Sequence, residues 1–371
     1  MIIINADIGK KIKIKIRHSL YNVNFIVFIG VNLSALRKKE NRQYISVNVN
    51  KTAKLKSKRS FLVWMDLLIK CFCTTAVFKD YFALEFYDKT IREARTFLTY
   101  GRWWKARRFL STPDIIDLLN NKKRYLETFR DYTKREYYYI DDSTDTQALA
   151  VFTGRHPKFV AKPNRLFGGK GIELVDSGSF TDTDSLLSCL RSNETLLLEE
   201  PVVNHRDIMK FSKSSLNTTR IVSIRTEDGV KVIYAILRFN LKGGFTDNLT
   251  SGGYICPVNP ATGKLYRGMT YAINESEPSN IYIPDHPSGF FFEGEQLPLW
   301  DEVVDLVTKA TLALKDAFFV AWDMAITDDG PVIIEGNSYP PYQIVQSVTG
   351  VGYFRDIQKA YKYGKKCLKK K

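Results

Sequence analysis

Two short apolar runs near the C-terminal end, residues 319–326 and 331–334, flank Thr327-Asp328-Asp329-Gly330 and read as two strands of a hairpin. Antiparallel pairing about a turn at 328–330 places Asp323 roughly across from Glu335, with Asn337 two residues further along the same face. Residues 298–317, beginning at Pro298 and carrying Val303, Val304, Leu306, Val307, Ala310 and Leu314 on one side, predict an amphipathic helix leading into that hairpin. Between 159 and 239 the pattern is mostly strand. Residues 159–163 form a short buried-type run ending at Lys162-Pro163, residues 196–203 run into a hinge at Pro201, and 217–224 and 230–239 read as a strand pair. Asn120 and Asn121 offer N-caps to a helix from Lys122 onward. From 61 to about 119 the spacing turns helical, with Tyr81, Leu84, Tyr87, Ile91 and Ala94 at steps of three and four, and Trp103 and Trp104 are expected to pack in its core.

Composition adds a division by charge. The chain of 371 residues carries a net charge of +15, but residues 1–60 hold +12 and residues 351–371 hold +7, leaving 61–350 at −4. A basic excess confined to the ends fits solvated flanks or attachment to an anionic membrane or polymer, and no zinc-finger or RNP pattern points to nucleic acid. The Lys/Ile alternation at 11–16 resembles a strand, and part of the basic segment 1–60 is expected to be poorly ordered. Five scattered cysteines suggest neither a disulfide framework nor a zinc site, which favours a reducing compartment. The most apolar stretch, 61–78, is interrupted by Asp66 and Lys70, so no transmembrane segment is expected and the protein is read as cytoplasmic.

The chemistry gathers at oxygen and cationic side chains. Asp323, Glu335 and Asn337 are ligands suited to Mg2+, since facing carboxylates repel unless a cation lies between them. Asn164 to Ile172 contains Gly168, Gly169, Lys170 and Gly171, a loop whose amides can turn toward an anion, although no Walker sequence is present.

In chain order these features resemble the ATP-grasp superfamily. The stretch from about 80 to 350 resembles the sugar-transfer-associated ATP-grasp proteins of polysaccharide biosynthesis, a group related to the glutamate ligases. The shared segments are Lys-Pro followed by Gly-Gly-Lys-Gly-Ile, Asn217-Thr-x-Arg220-Ile, Asp247-Asn248 before Gly252-Gly253, His286-Pro-x-Gly, and Trp322-Asp323-x-Ala-Ile-Thr before Ile-Glu335-Gly-Asn337. The resemblance implies an α+β ATP-grasp fold, two α+β sub-domains closing on ATP behind a helical N-terminal region. The corresponding division is a basic segment at 1–60, a helical front domain at 61–120, a lid sub-domain at 121–205, a metal-bearing sub-domain at 206–350 and a basic tail at 351–371.

It also implies roles. Lys122 or its neighbour Lys123, together with Lys162, would bind α and β phosphates, with Gly168, Gly169, Lys170 and Gly171 covering the transferred phosphate. Glu199 or Glu200 would take the adenine amino group, the Val202 main chain a ring nitrogen, and Asp207 the ribose. Asp323, Glu335 and Asn337 would hold Mg2+, and Arg220 would stabilise the transferred group unless it pairs with Glu199 or Glu200. Asn217, Asn248, Gly252, Gly253 and His286 would face the second substrate, although a His before Pro is also an ordinary turn residue. The implied activity is an ATP- and Mg2+-dependent, ADP-forming carboxylate-amine ligase working through an acyl phosphate, joining an amino acid or other amine to a uronic-acid-containing surface polysaccharide or precursor. Capsule and O-antigen are the polymers implied. A kinase acting on a carbohydrate hydroxyl and a non-catalytic nucleotide-binding module are the alternatives.

Overall fold

The computed structural model describes residues 30–163, 171–243, 247, 253–271 and 281–369. The strand expected at 11–16 and the expected partial disorder before residue 30 lie outside them. The chain groups into two compact units: 1–110 with 273–281 and 341–371, and 111–272 with 282–340.

The first unit is built from helices, among them Lys39–Leu55, Ser60–Thr74, Tyr100–Ala106, Tyr342–Thr349 and Phe354–Leu368. Apolar positions at helical spacing explain its core: Ile45 and Val49 from the first of these pack with Val63 and Leu67 from the second and with Tyr81, Phe82 and Phe86. Both basic ends of the sequence therefore contribute buried residues, since Ile357 and Ala360 in the last helix are also inaccessible. Asp80 is fully buried and accepts hydrogen bonds from Tyr342 Oη (2.7 Å), Gln343 Nε2 (2.6 Å) and the Tyr100 amide (2.9 Å). Trp103 is buried as expected, whereas Trp104 is 40% exposed, with the Arg107 guanidinium over its ring. No described helix is long and apolar enough to cross a membrane.

The second unit holds two antiparallel sheets. Strands β1 (Tyr137–Tyr139), β2 (Lys158–Pro163), β3 (Glu173–Asp176) and β4 (Thr195–Glu199) form a four-stranded sheet in the order β1-β4-β2-β3. The helices Thr146–Arg155 and Thr183–Ser192 supply Leu149, Phe152, Leu186 and Leu190 to its core. The larger sheet contains β5 (Thr218–Thr226), β6 (Gly229–Asn240), β7 (Gly253–Val258), β8 (Met269–Tyr271), β9 (Ile281–Ile283), β10 (Phe319–Thr327) and β11 (Gly330–Asn337), in the order β11-β10-β5-β6-β7-β8-β9.

The apolar side of helix Trp300–Ala313 packs on the larger sheet, burying Val303, Val307 and Ala310 with Val320, Trp322 and Met324. The helix begins at Trp300, two residues after Pro298, with its N-cap Leu299 in the left-handed region (φ 51°). Trp322 is fully buried, and its indole N–H donates to Ser223 Oγ (3.1 Å) and Thr311 Oγ1 (3.0 Å), so its polar edge costs little. Side chains alternate across a strand, so burying Trp322 against the helix sends Asp323 to the opposite face.

Candidate active site

Sheet register builds the site. Asp323 on β10 lies opposite Glu335 on β11 and opposite Arg220 on β5, and a bulge follows between Asp323 and Met324. Arg220 grips Asp323 with Nε to Oδ1 at 2.7 Å and Nη2 to Oδ2 at 2.7 Å. Arg238 on β6 adds Nη2 to Asp323 Oδ2 at 3.0 Å and lies 3.5 Å from Asp247. Asp323 is 2% exposed. Burial alone would raise its pKa, but the guanidiniums of Arg220 and Arg238 outweigh it and hold the carboxyl well below the usual range. For Asp247 the balance falls the other way, and burial raises its pKa despite Arg238.

Glu335 lines the wall of a cleft with 57% of its side chain accessible. Desolvation there, followed by the negative charge of Asp323, pushes its carboxyl up to about 7.

A second group of charges lines the same cleft, whose volume is about 660 Å³. Lys162 near the end of β2 donates to Glu199 Oε2 at 2.6 Å, and Arg135 donates its Nε to the same oxygen at 2.9 Å. Arg135 also donates Nη1 to the Ile333 carbonyl (2.8 Å) and Nη2 to that of Ile334 (3.1 Å), tying the smaller sheet to β11. Burial would raise the pKa of Glu199, yet Arg135 and Lys162 bring it down to about 2. Lys122, in a helix capped by the Asn121 side chain, donates to the Pro163 carbonyl. Burial, then the charge of Lys162, lowers its pKa. Lys123 turns instead over the Tyr139 ring, 5.6 Å from its centroid, so Lys122 is the lysine that faces the cleft.

Of the residues expected to act, the structure brings Lys122, Lys162, Glu199, Glu200, Val202, Arg220, Asp323, Glu335 and Asn337 to this one cleft. Arg220 pairs with Asp323, not with Glu199 or Glu200, because β5 adjoins β10. Four of the expected residues lie elsewhere. Asp207 is not among the lining residues; its side chain is 59% exposed, on the short turn Arg206–Met209. Asn217 is buried with its amide spent on the Ile208 and Ser212 carbonyls. His286 is 6% exposed, stacks on Phe290, engages the Phe211 carbonyl through Nε2 and accepts the Ser288 amide at Nδ1, which makes it a turn residue. Gly253 is the first residue of β7, paired with Asn240, and does not line the cleft. Gly171 is described, with φ 68°, whereas Gly168, Gly169, Lys170, Asn248 and Gly252 lie outside the described residues.

Several contributors were not singled out from the sequence. Arg238 is the one charged residue of the apolar run 232–239, a pattern that marks a paired, buried cation. Arg135 sits in a charged stretch that carries no such signal. Tyr125 lines the cleft, and its buried hydroxyl has no hydrogen-bond partner among the described residues.

The donors fit Mg2+ in chemistry, being oxygen only. Asp323 already gives both oxygens to guanidinium N–H groups, which leaves Glu335 and Asn337 as the freer donors. Among the described residues no three His, Cys, Asp or Glu side chains are gathered as a metal cage. The arrangement suits a Mg2+ that takes most of its ligands from phosphate oxygens and water.

The family model described as sugar-transfer associated ATP-grasp matches residues 133–362, and the chain belongs to that family. ATP and Mg2+ are the cofactors of the ATP-grasp class. Solved structures similar to the chain include the ATP-grasp ligase PsnB complexed with its minimal precursor, at 14% identity and TM-score 0.41, covering 69% of this chain and 63% of that one. Another is D-alanine–D-alanine ligase from Bacillus anthracis complexed with ATP, at 13% identity and TM-score 0.40, covering 68% of each chain. L-amino acid ligase from Bacillus licheniformis is similar at 13% identity and TM-score 0.38, covering 66% of this chain and 48% of that one. No match was found among curated proteins.

Proposed function

We propose that the protein is an ATP- and Mg2+-dependent, ADP-forming carboxylate-amine ligase that works through an acyl phosphate. Its substrates in this reading are a uronic-acid-containing surface polysaccharide or precursor and an amino acid or other amine. The observation that carries the reading is the convergence of Arg220 and Arg238 on Asp323 beside Glu335, in one cleft with Lys122 and Lys162. Two cationic groups are thereby held ready for a polyanion, while the carboxylates lie where a phosphate-bound cation is needed.

Lys122 and Lys162 hold the α and β phosphates, and Glu199 with Arg135 fixes the position of Lys162. Glu200 and the Val202 main chain face the adenine. Glu335 and Asn337, with Asp323 beside them, would hold Mg2+, which would supply screening of the phosphate charge. In the first step a substrate carboxylate oxygen bonds to the γ phosphorus as the bond from that phosphorus to the ADP oxygen breaks. In the second, the amine nitrogen attacks the acyl carbon, inorganic phosphate leaves with the C–O electron pair, and the nitrogen loses a proton. Arg220 stabilises the oxyanion, because its planar fork is pinned by Asp323 and needs little reorganisation. The basic ends of the chain provide peripheral contact with an anionic membrane or polymer.

Hydroxylamine trapping tests the reading. Purified protein with Mg-ATP and uronic-acid sugars yields ADP and a hydroxamate if an acyl phosphate forms. ADP with a stable phosphorylated sugar would establish the kinase alternative, and binding of Mg-ATP without ADP from any acceptor would favour a non-catalytic module.

A further inference from the structure

The first unit carries a second concentration of positive charge, in an open pocket of about 550 Å³ whose wall includes Arg92, Arg95, Arg102, Arg355, Phe354 and Gln358. Local structure explains how they meet. Thr90 caps the short helix Ile91–Ala94, and the Glu93 carboxylate is spent on the Thr90 amide (2.7 Å) and hydroxyl (2.8 Å), which places it in the helix cap. The Phe354 amide donates to the Thr96 carbonyl at 2.9 Å, fixing the start of helix Phe354–Leu368 against this segment. Gly352 is required there, since a Cβ would approach the Thr96 backbone to 2.4 Å.

Arg102 is held on the pocket wall by Nη1 donation to the carbonyls of Arg95 (2.7 Å) and Phe97 (2.6 Å), with its guanidinium 4.1 Å from the Phe354 ring centroid. Burial, then the like charge of Arg95, lowers the Arg102 pKa to about 10. None of the four arginines makes an ion pair with a carboxylate among the described residues. The first turn of helix Phe354–Leu368 adds the positive end of its dipole, in a turn that also carries Asp356.

Arg92, Arg95, Arg102 and Arg355 thus line one pocket with no ion pair to a carboxylate among the described residues, and arginine forks match the oxygens of a phosphate in geometry. The pocket exceeds the size of a bare phosphate ion, and Ile91, Phe354 and Gln358 offer apolar and amide surface beside the charges. We infer that this pocket binds the phosphate group of a phosphorylated organic ligand, supplied either as a free sugar phosphate or as a phospholipid headgroup. The site rests on the first unit alone and does not depend on the chemistry proposed for the second.

The test uses the full chain with its ATP cleft filled by a non-hydrolysable Mg-ATP analogue. Glucose 1-phosphate is titrated by calorimetry against glucose as the uncharged control, and co-sedimentation is measured with phosphatidylcholine vesicles containing phosphatidic acid. The comparison protein is Arg92→Gln with Arg355→Gln, both at exposed positions where folding is not at risk. Saturable binding of the sugar phosphate and not of glucose, weakened about tenfold or more in the double variant as expected for lost charge-assisted contacts, supports the site. Sedimentation with the vesicles that the double variant loses identifies a lipid headgroup as the source, and its absence beside sugar-phosphate binding identifies the free compound. Failure of both probes to bind, or binding unchanged in the double variant, overturns the inference.

Discussion

Arg220 and Asp323 face each other on adjacent strands and share two parallel hydrogen bonds of 2.7 Å, in a part of the cleft where Asp323 is 2% exposed. A carboxylate this deeply buried depends on its cations. Replacing Arg220→Met leaves Arg238 alone to balance it, and is expected to cost about 3 kcal/mol of stability, the usual penalty for breaking a buried pair. Urea unfolding measures the loss. Adding Asp323→Asn should recover part of that stability without restoring ADP release, whereas additive losses would show that the two side chains do not act as a pair.

Glu335 is the counterpart with less structural burden, because it lines the open cleft with 57% of its side chain accessible. Glu335→Gln is expected to abolish Mg-ATP-dependent turnover and to leave the thermal melting temperature nearly unchanged. A fully active variant would remove Glu335 from the proposed cation site.

Glu199 links acid stability to the end of the cleft that holds Lys162. Its folded pKa of about 2 lies below the ordinary value of 4.5, so the stabilisation it confers is complete above pH 4.5 and is lost as pH falls toward 2. The difference corresponds to about 3 kcal/mol by linkage. Unfolding free energy measured across that interval should decline less steeply in Glu199→Gln than in the unaltered protein. Parallel pH profiles would show that Arg135 and Lys162 do not hold the carboxylate as described.

Lys162 pairs with Glu199 and is proposed to bind phosphate, and a single substitution separates the two. Lys162→Met should raise the KM for ATP by about tenfold or more, the effect of losing a charge-assisted contact worth roughly 1–3 kcal/mol. It should change stability less, since Arg135 remains on Glu199. An unaltered KM would place the ATP phosphates elsewhere.

The sequence made the hairpin legible in detail because its signals are local: alternation, an Asp-Gly turn and a spacing that puts Asp323 across from Glu335. The Asn121 cap was legible for the same reason, and it leaves Lys122 facing the cleft while Lys123 turns to Tyr139. Pairing across strands distant in sequence was not. Nothing local says that β5 adjoins β10, and that adjacency gives Arg220 to Asp323 and brings Arg238 in behind it. His286 and Asn217 drew attention as polar residues in recognisable segments, but their polar atoms serve backbone groups in the interior. The basic ends read as flanks because their charge hides the apolar period. Ile45 is 2% exposed within the lysine-rich N-terminal stretch, and Ile45→Ala should cost about 3 kcal/mol in the first unit, a loss that a flank residue would not show.

The measurement that bears most directly on the ligase reading follows one oxygen atom. A uronic-acid acceptor carrying heavy oxygen in its carboxylate is incubated with the protein, Mg-ATP and an amine, and the inorganic phosphate released is analysed by mass spectrometry. Passage through an acyl phosphate transfers one labelled oxygen to each phosphate formed, and Glu335→Gln abolishes the signal. Turnover that releases only unlabelled phosphate, or that leaves the phosphoryl group on a sugar hydroxyl, would contradict the account.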